Sequence, residues 1–221
     1  VVNGFVGECA VNSKAAEPIG TLVAQIFSMP ELQFARNIPP GSDGPGSVSL
    51  ISILMCKIHA TAPILFGVYG PETTKEGKLR LGWRLDSLSD DRKAFVPESK
   101  HYDRLTGLGV GYASIALRNF SKAKVQNPWP PLHYWSSLAH IANTPPTAVQ
   151  MSHLILLKSM LENNAVDRFV LFFGAAGIAA LRQAAVLFPR SLPQSMQDAP
   201  VAKALALTVE AWQREKNFIL S

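Results

Sequence analysis

Cysteine is scarce: the 221 residues contain only Cys9 and Cys56, with no CxxC spacing and no Cys/His cluster beside either. That excludes a disulfide framework and gives no basis for a zinc site. The expectation is two buried thiols in a reducing compartment. Long apolar runs are missing too. No stretch approaches about 18 consecutive apolar residues, and the opening VVNGFVGECAVNSK has no basic region ahead of its apolar part. Neither membrane insertion nor a secretory leader is expected, and a nuclear or cytoplasmic setting is. Catalytic signatures are equally sparse. Gly107-Leu-Gly-Val-Gly111 has neither GxGxxG spacing nor a GK[ST] ending and lies inside a helical pattern. His133, His140 and His153 occur without HExxH, and no GxSxG elbow is present. Asp90-Asp91 reads as a solvated acidic pair, so no metal site and no enzyme are expected.

What the chain does have is apolar residues in helical periods. Hydrophobic residues make up 48% of it, enough for one substantial core, and the formal charge is +5 with a pI near 9.3. The 21 basic residues are scattered, so only local clusters can specify an acidic partner.

Taken in order, residues 2–14 and 18–28 read as helices, the second starting at Pro18 in its first turn. Ile38 to Ser47 reads as an exposed loop, and Ser49 to Ala62 as an apolar helix stopped by Pro63. On that helix Lys57 and His59 point about 200° apart, so one compact ligand does not touch both. Lys57, with its long stem, is the better candidate for a charged site, and His59 is assigned a structural hydrogen bond. From Ile64 to Pro97 the helical pattern lapses into an irregular insertion, a small hairpin or ordered loop, carrying Lys75, Lys78, Arg80 and Arg84 as partner-facing or solvated charges. Trp83 reads as a core anchor, with stacking on a guanidinium the alternative. Further helices are expected at Leu132–Ala142, from a Thr147 cap to Glu162, at Ala165–Leu187 with small residues for close packing, and after an Asp198 cap. The fold class is all-α, paired helices joined by proline-marked turns.

The chain is organised around Glu98 to Phe120. Tyr102, Leu105, Gly109, Tyr112 and Ala116 form one apolar stripe, while Gly107 and Gly111 invite close approach of a neighbouring backbone. Lys100 and Arg104, four apart, and His101 beside them form a basic head on the first turns, with Lys100 and Arg104 expected on the exposed side.

LISILMCKIHATAP, LRLGWR, HYDRLTGLGVGYASIAL, NPWPPLHYWSSLAHIAN and DRFVLFFGAAGIAAL with its following FPR occur in that order over most of residues 48–190. This series resembles the C-terminal domain of the Gle-one family of mRNA-export factors at the nuclear pore. The resemblance implies one helical domain over 1–221, cut from a longer protein. It also implies HEAT-like helix pairs similar to the middle domain of translation-initiation scaffolds. It further implies a non-enzymatic activator of the DEAD-box RNA helicase of mRNA export, with inositol hexakisphosphate bridging the two proteins in fungal members. A phenylalanine-glycine nucleoporin and translation initiation or termination factors are further implied partners, direct DNA binding is not, and the implied location is the cytoplasmic face of the pore, with cytoplasm and nucleus. The alternative function is a passive helical scaffold for a nucleoporin peptide, a translation factor or RNA. The chain looks fungal in retaining Lys100, His101 and Arg104 just before LTGLGVGYA. These three with Lys57 are the implied inositol-phosphate ligands, and Lys14 is a further candidate.

Overall fold

The computed structural model describes residues 2–32, 34–35, 48–86, 94–216, 218 and 220. The expected loop at Ile38–Ser47 and the pair Asp90-Asp91 lie outside the described residues. Helices α1 (Val2–Val11) and α2 (Ser13–Phe27) are separated by Asn12, whose extended backbone frees its side chain to accept from the N–H groups of Lys14, at 3.1 Å, and Ala15, at 3.3 Å. A cap of this kind satisfies donors left free at a helix start, so the second helix begins five residues before Pro18 and the proline sits inside it. A two-residue antiparallel ladder, β1 (Phe34–Ala35) with β2 (Val48–Ser49), leads into α3 (Leu50–Thr61).

The insertion is ordered where it is described. A 3-10 turn, Pro63–Phe66, ends at Gly67, and a short α4 (Lys75–Arg80) starts on Thr74, whose hydroxyl accepts from Gly77 N–H at 3.0 Å. Leu85 then bridges Phe95 in antiparallel fashion. The remaining elements are α5 (Glu98–Ala116), α6 (Pro131–Ala142), α7 (Met151–Met160), α8 (Ala165–Arg182), a π-helical turn (Gln183–Leu187), α9 (Phe188–Arg190), α10 (Gln194–Gln197) and α11 (Pro200–Lys216).

The core is built around α5, which packs along α2 on one flank and α7 on another, with α1 also against it. Glycine makes this possible where the backbones come closest. A methyl on Gly20 of α2 would sit 2.6 Å from the Gly111 carbonyl, and one on Gly111 would meet Phe5 at 2.8 Å. At the end of α5, Asn127 donates to the carbonyls of Ile115 and Ala116, both at 3.0 Å, and its own oxygen accepts from Trp129 N–H. Trp129 Nε1 in turn donates to the Tyr112 hydroxyl, which also meets Ser137 at 2.9 Å. The NPWPP segment is thus a clamp that holds α6 against α5.

Three expected local devices are replaced. Thr147 lies in a 3-10 turn, and α7 instead starts at Gln150, whose backbone N–H donates to Nδ1 of His153 at 3.1 Å. Asp198 binds the Gln194 amide at 3.0 Å and pairs with Lys203, rather than capping α11. Gly174 is exposed, with φ 55 and ψ −134, and kinks α8. A methyl there would touch nothing within 4 Å, so this glycine serves a backbone bend and not the close packing expected of FFGAAGIAAL. Ala165–Arg190 is long and apolar enough to cross a membrane by length and composition. It is nonetheless tied into the fold by Arg168 to Glu17 at 2.8 Å, Asp167 to Lys216, and the buried Phe169 and Leu181.

Candidate functional site

The four basic residues singled out in the sequence separate into two kinds. Lys57 and Lys100 are exposed and form no ion pair with a described residue. His101 and Arg104 are not on the surface: they are 0% and 4% exposed. The expectation that Arg104 projects outward from the basic head is therefore corrected. The insertion folds back over this side of α5 and covers it, a long-range contact that helical periodicity alone does not report.

What covers them is Trp83, stacked on the His101 ring with centroids 4.0 Å apart and planes 17° apart. Trp83 is a core anchor, as expected, but on an imidazole and not a guanidinium. Beneath it runs a chain of hydrogen bonds. Trp83 Nε1 donates to Glu72 Oε1 at 3.3 Å, and Ser152 Oγ donates to the same oxygen. Since the only hydroxyl proton of Ser152 is committed to Glu72, its oxygen must accept from His101 Nε2, which lies 3.1 Å away. His101 therefore carries its proton on Nε2 and presents a bare Nδ1 to Arg104 Nη2 at 3.2 Å. The same Nη2 donates to the Gly82 carbonyl. Arg104 Nε is buried without a partner among the described residues.

The electrostatics agree with this proton order. Burial, reinforced by the positive charges of Arg104 and Lys78, pushes His101 down to about 3, so the ring is neutral. Burial and the nearby Arg84 lower Arg104 to about 10, which still leaves it charged at neutral pH. Burial raises Glu72, against the lowering effect of its hydrogen bonds from Ser152 and Trp83. The arrangement runs from a buried guanidinium through a neutral histidine and a serine to a carboxylate, with every link donating in one direction.

This relay joins three separate parts of the chain. Glu72, Gly82 and Trp83 belong to the insertion, His101 and Arg104 to α5, and Ser152 to α7. Glu72 N–H also donates to the Gln150 side chain at 3.2 Å. Gly82 has φ +80, and a methyl on it would meet the Thr61 carbonyl at 2.7 Å, so the residue whose carbonyl meets Arg104 has to be glycine. The exposed charges Lys75, Arg80 and Arg84 ride on the insertion, and Lys78 lies over Trp83 with its Nζ 4.6 Å from the ring centroid. Glu72 and Ser152 were missed in the sequence, Glu72 because it looks like one more loop charge. The available signal was that LGWR and HYDR each carry a ring shortly before an arginine, Trp83 and His101, which are the two halves of one stack.

His59 is exposed on the polar stripe with Ser52 and Cys56, and its ring meets Phe66 edge-on at 4.9 Å in place of the expected hydrogen bond. Of the two thiols only Cys9 is buried, which pushes it up to about 12, whereas Cys56 is exposed. His153 is a buried helix-start acceptor lowered to about 4 by burial. Surface depressions lie elsewhere, among them a groove of about 370 Å³ between the π-helical turn and α11 and one of about 410 Å³ beside α6. Neither is lined by Lys57 or Lys100.

Compared with known proteins, residues 1–185 match the family described as GLE1-like protein. The mRNA export factor GLE1 of Chaetomium thermophilum is 38% identical over 192 residues, covering 87% of this chain and 33% of that protein. Its Saccharomyces cerevisiae namesake is 23% identical over 219 residues, covering 96% and 36%. The chain thus spans about a third of the length of these relatives. Two solved structures of the S. cerevisiae Dbp5 C-terminal domain bound to Gle1 and IP6 share the fold, with TM-scores of 0.74 and 0.72 at 21% and 20% identity. Each aligns over 98% of this chain and 66% of the matched chain.

Proposed function

The chain belongs to the GLE1-like protein family, and from that premise we propose that it is the part of an mRNA-export factor that binds a DEAD-box ATPase with inositol hexakisphosphate between them. It is not itself an enzyme in this reading: it acts on the nucleotide cycle of its partner. One observation carries the site. Lys57 and Lys100, on α3 and α5, are exposed cations with no described carboxylate to neutralise them. A hexakisphosphate supplies several anionic groups at once, and it would remove the repulsion between this surface and a basic partner. His101 and Arg104 leave the set of direct ligands in this proposal, because both are buried.

Stimulation then follows from population shift. A domain that binds the open arrangement of two helicase lobes better than the closed one promotes opening by its difference in affinity for the two. The work place in this proposal is the cytoplasmic face of the nuclear pore, with a phenylalanine-glycine nucleoporin as a further partner. The test is the RNA-dependent ATPase rate of the export helicase, with and without this domain, across inositol hexakisphosphate concentrations. A rise that requires the inositol phosphate is expected, and an unchanged rate at saturating domain would overturn the proposal.

A further inference from the structure

We propose that Arg104 and His101 serve the anion site from inside, as positioning residues that fix Arg84 as an additional anion contact beside Lys100. This rests on the polyphosphate reading above and names how one side of that site is set.

The route from the buried relay to the surface is short and covalent. Arg104 holds the carbonyl of Gly82, and His101 stacks on Trp83. Arg84 is the next residue, and its own carbonyl accepts from Val96 N–H at 3.0 Å, which ties it to the strand-like segment leading directly into α5. From that pairing the chain enters α5 at Glu98, and Lys100 lies in its first turn. Arg84 and Lys100 are both exposed, and both are thereby anchored to the same end of the helix. Pro97 supplies no side-chain cap there, so the free N–H groups of the first turn add positive potential, which Glu98 in the same turn partly offsets.

The arrangement holds like charges together. Arg84 is close enough to Arg104 to contribute to its lowered proton affinity, and Lys78 does the same to His101. A fold that fastens an exposed arginine near a buried one, through glycine, tryptophan and histidine contacts, gains no attraction between those two charges. An anion on the outer side turns the same placement into binding. Both bonds leave one nitrogen of a planar guanidinium whose N–H directions are fixed, and a freely rotating ammonium on a lysine stem would not hold the Gly82 carbonyl and His101 Nδ1 in the same directions.

The experiment is a double-mutant cycle read by calorimetry with inositol hexakisphosphate, using wild type, R84Q, R104K and R84Q/R104K, each checked by thermal melting. The expected result is a loss of about tenfold for R84Q, a similar loss for R104K, and a double variant no weaker than the weaker single, as befits residues acting as one unit. Losses that multiply would overturn the inference by giving Arg104 a route independent of Arg84. Unchanged affinity in folded R84Q would overturn it as well. A purely structural Arg104 would lower the melting temperature without coupling to Arg84. If R104K does not fold, S152A takes its place in the cycle, cutting the relay one link away. Wild type that fails to bind inositol hexakisphosphate would sink the polyphosphate reading itself, and that result appears in the first titration. Binding lost in K100Q but kept in R84Q would leave the polyphosphate reading standing and end this inference.

Discussion

The two halves of α5 are buried by different physics. From His101 to Leu105 the helix is covered by the insertion through a directional chain of polar contacts, in which removal of a member strands its neighbours. From Gly109 to Ala116 it is covered by α1, α2 and α7 through shape: Gly111 leaves room for Phe5, Gly20 for the Gly111 carbonyl, and Gly109 for Ser159. The first half fixes geometry by hydrogen-bond valence and the second by excluded volume. They should therefore fail under different insults.

The largest effect is expected from Arg104→Ala. It strands His101 Nδ1 and the Gly82 carbonyl in a dry setting, and the loss should be about 3–5 kcal/mol in urea unfolding. A loss below about 1 kcal/mol would show that water satisfies those groups and that the halves do not differ as argued. Next comes Gly20→Val in the glycine half, where added carbons meet the Gly111 carbonyl and Ser114. Overpacking of this sort costs about 1–3 kcal/mol, and a neutral result would mean that α2 and α5 can separate freely.

Acid acts differently on the two halves, because only the polar half of α5 contains a histidine. The folded-state values of His101 and His153, about 3 and about 4, lie below the usual 6.5. The unfolded chain therefore binds more protons, and stability is complete above about pH 6.5 and falls as pH drops toward those values. At pH 5 each histidine should account for up to about 2 kcal/mol. Glu72, raised by burial, acts in the opposite sense over its own range and reduces the net slope. Melts from pH 7 to 5 should show this loss in wild type and roughly half of it in H153N, while the loss carried by His101 remains. A flat profile would contradict a buried neutral His101.

The smallest effect on stability is expected at the surface. Lys57→Gln and Lys100→Gln should change unfolding free energy by no more than about 0.5 kcal/mol. Both should still weaken inositol hexakisphosphate binding in calorimetry, and less so at high salt. Affinity unchanged in both variants would move the anion site off α3 and α5.

The helices were legible from periodicity and proline. Leu50–Thr61, Glu98–Ala116 and Pro131–Ala142 fall within a residue or a few of the pattern, because their apolar spacing repeats locally. Starts were less legible. Asn12 and Gln150 took over from Pro18 and Thr147, since a cap depends on backbone conformation at one residue and several candidates lie close together. Exposure of the candidate cations was half legible. Lys57 and Lys100 stand exposed as charges on helices usually do, but no local pattern distinguishes Arg104 from them.

Local spacing was enough for an all-helical chain organised on α5, with Gly111 where a neighbouring helix comes close, and the order of five segments was enough for the family. Only the tertiary structure decided which cations face water. Helical spacing states the angle of Arg104 around its own axis, whereas its burial depends on Gly82 and Trp83, about twenty residues earlier, folding over it. Its hydrogen bonds are completed through His101 and by Ser152, about fifty residues later. Burial of a charge is a property of what closes over it and of whether its donors find acceptors, and those partners come from distant parts of the chain.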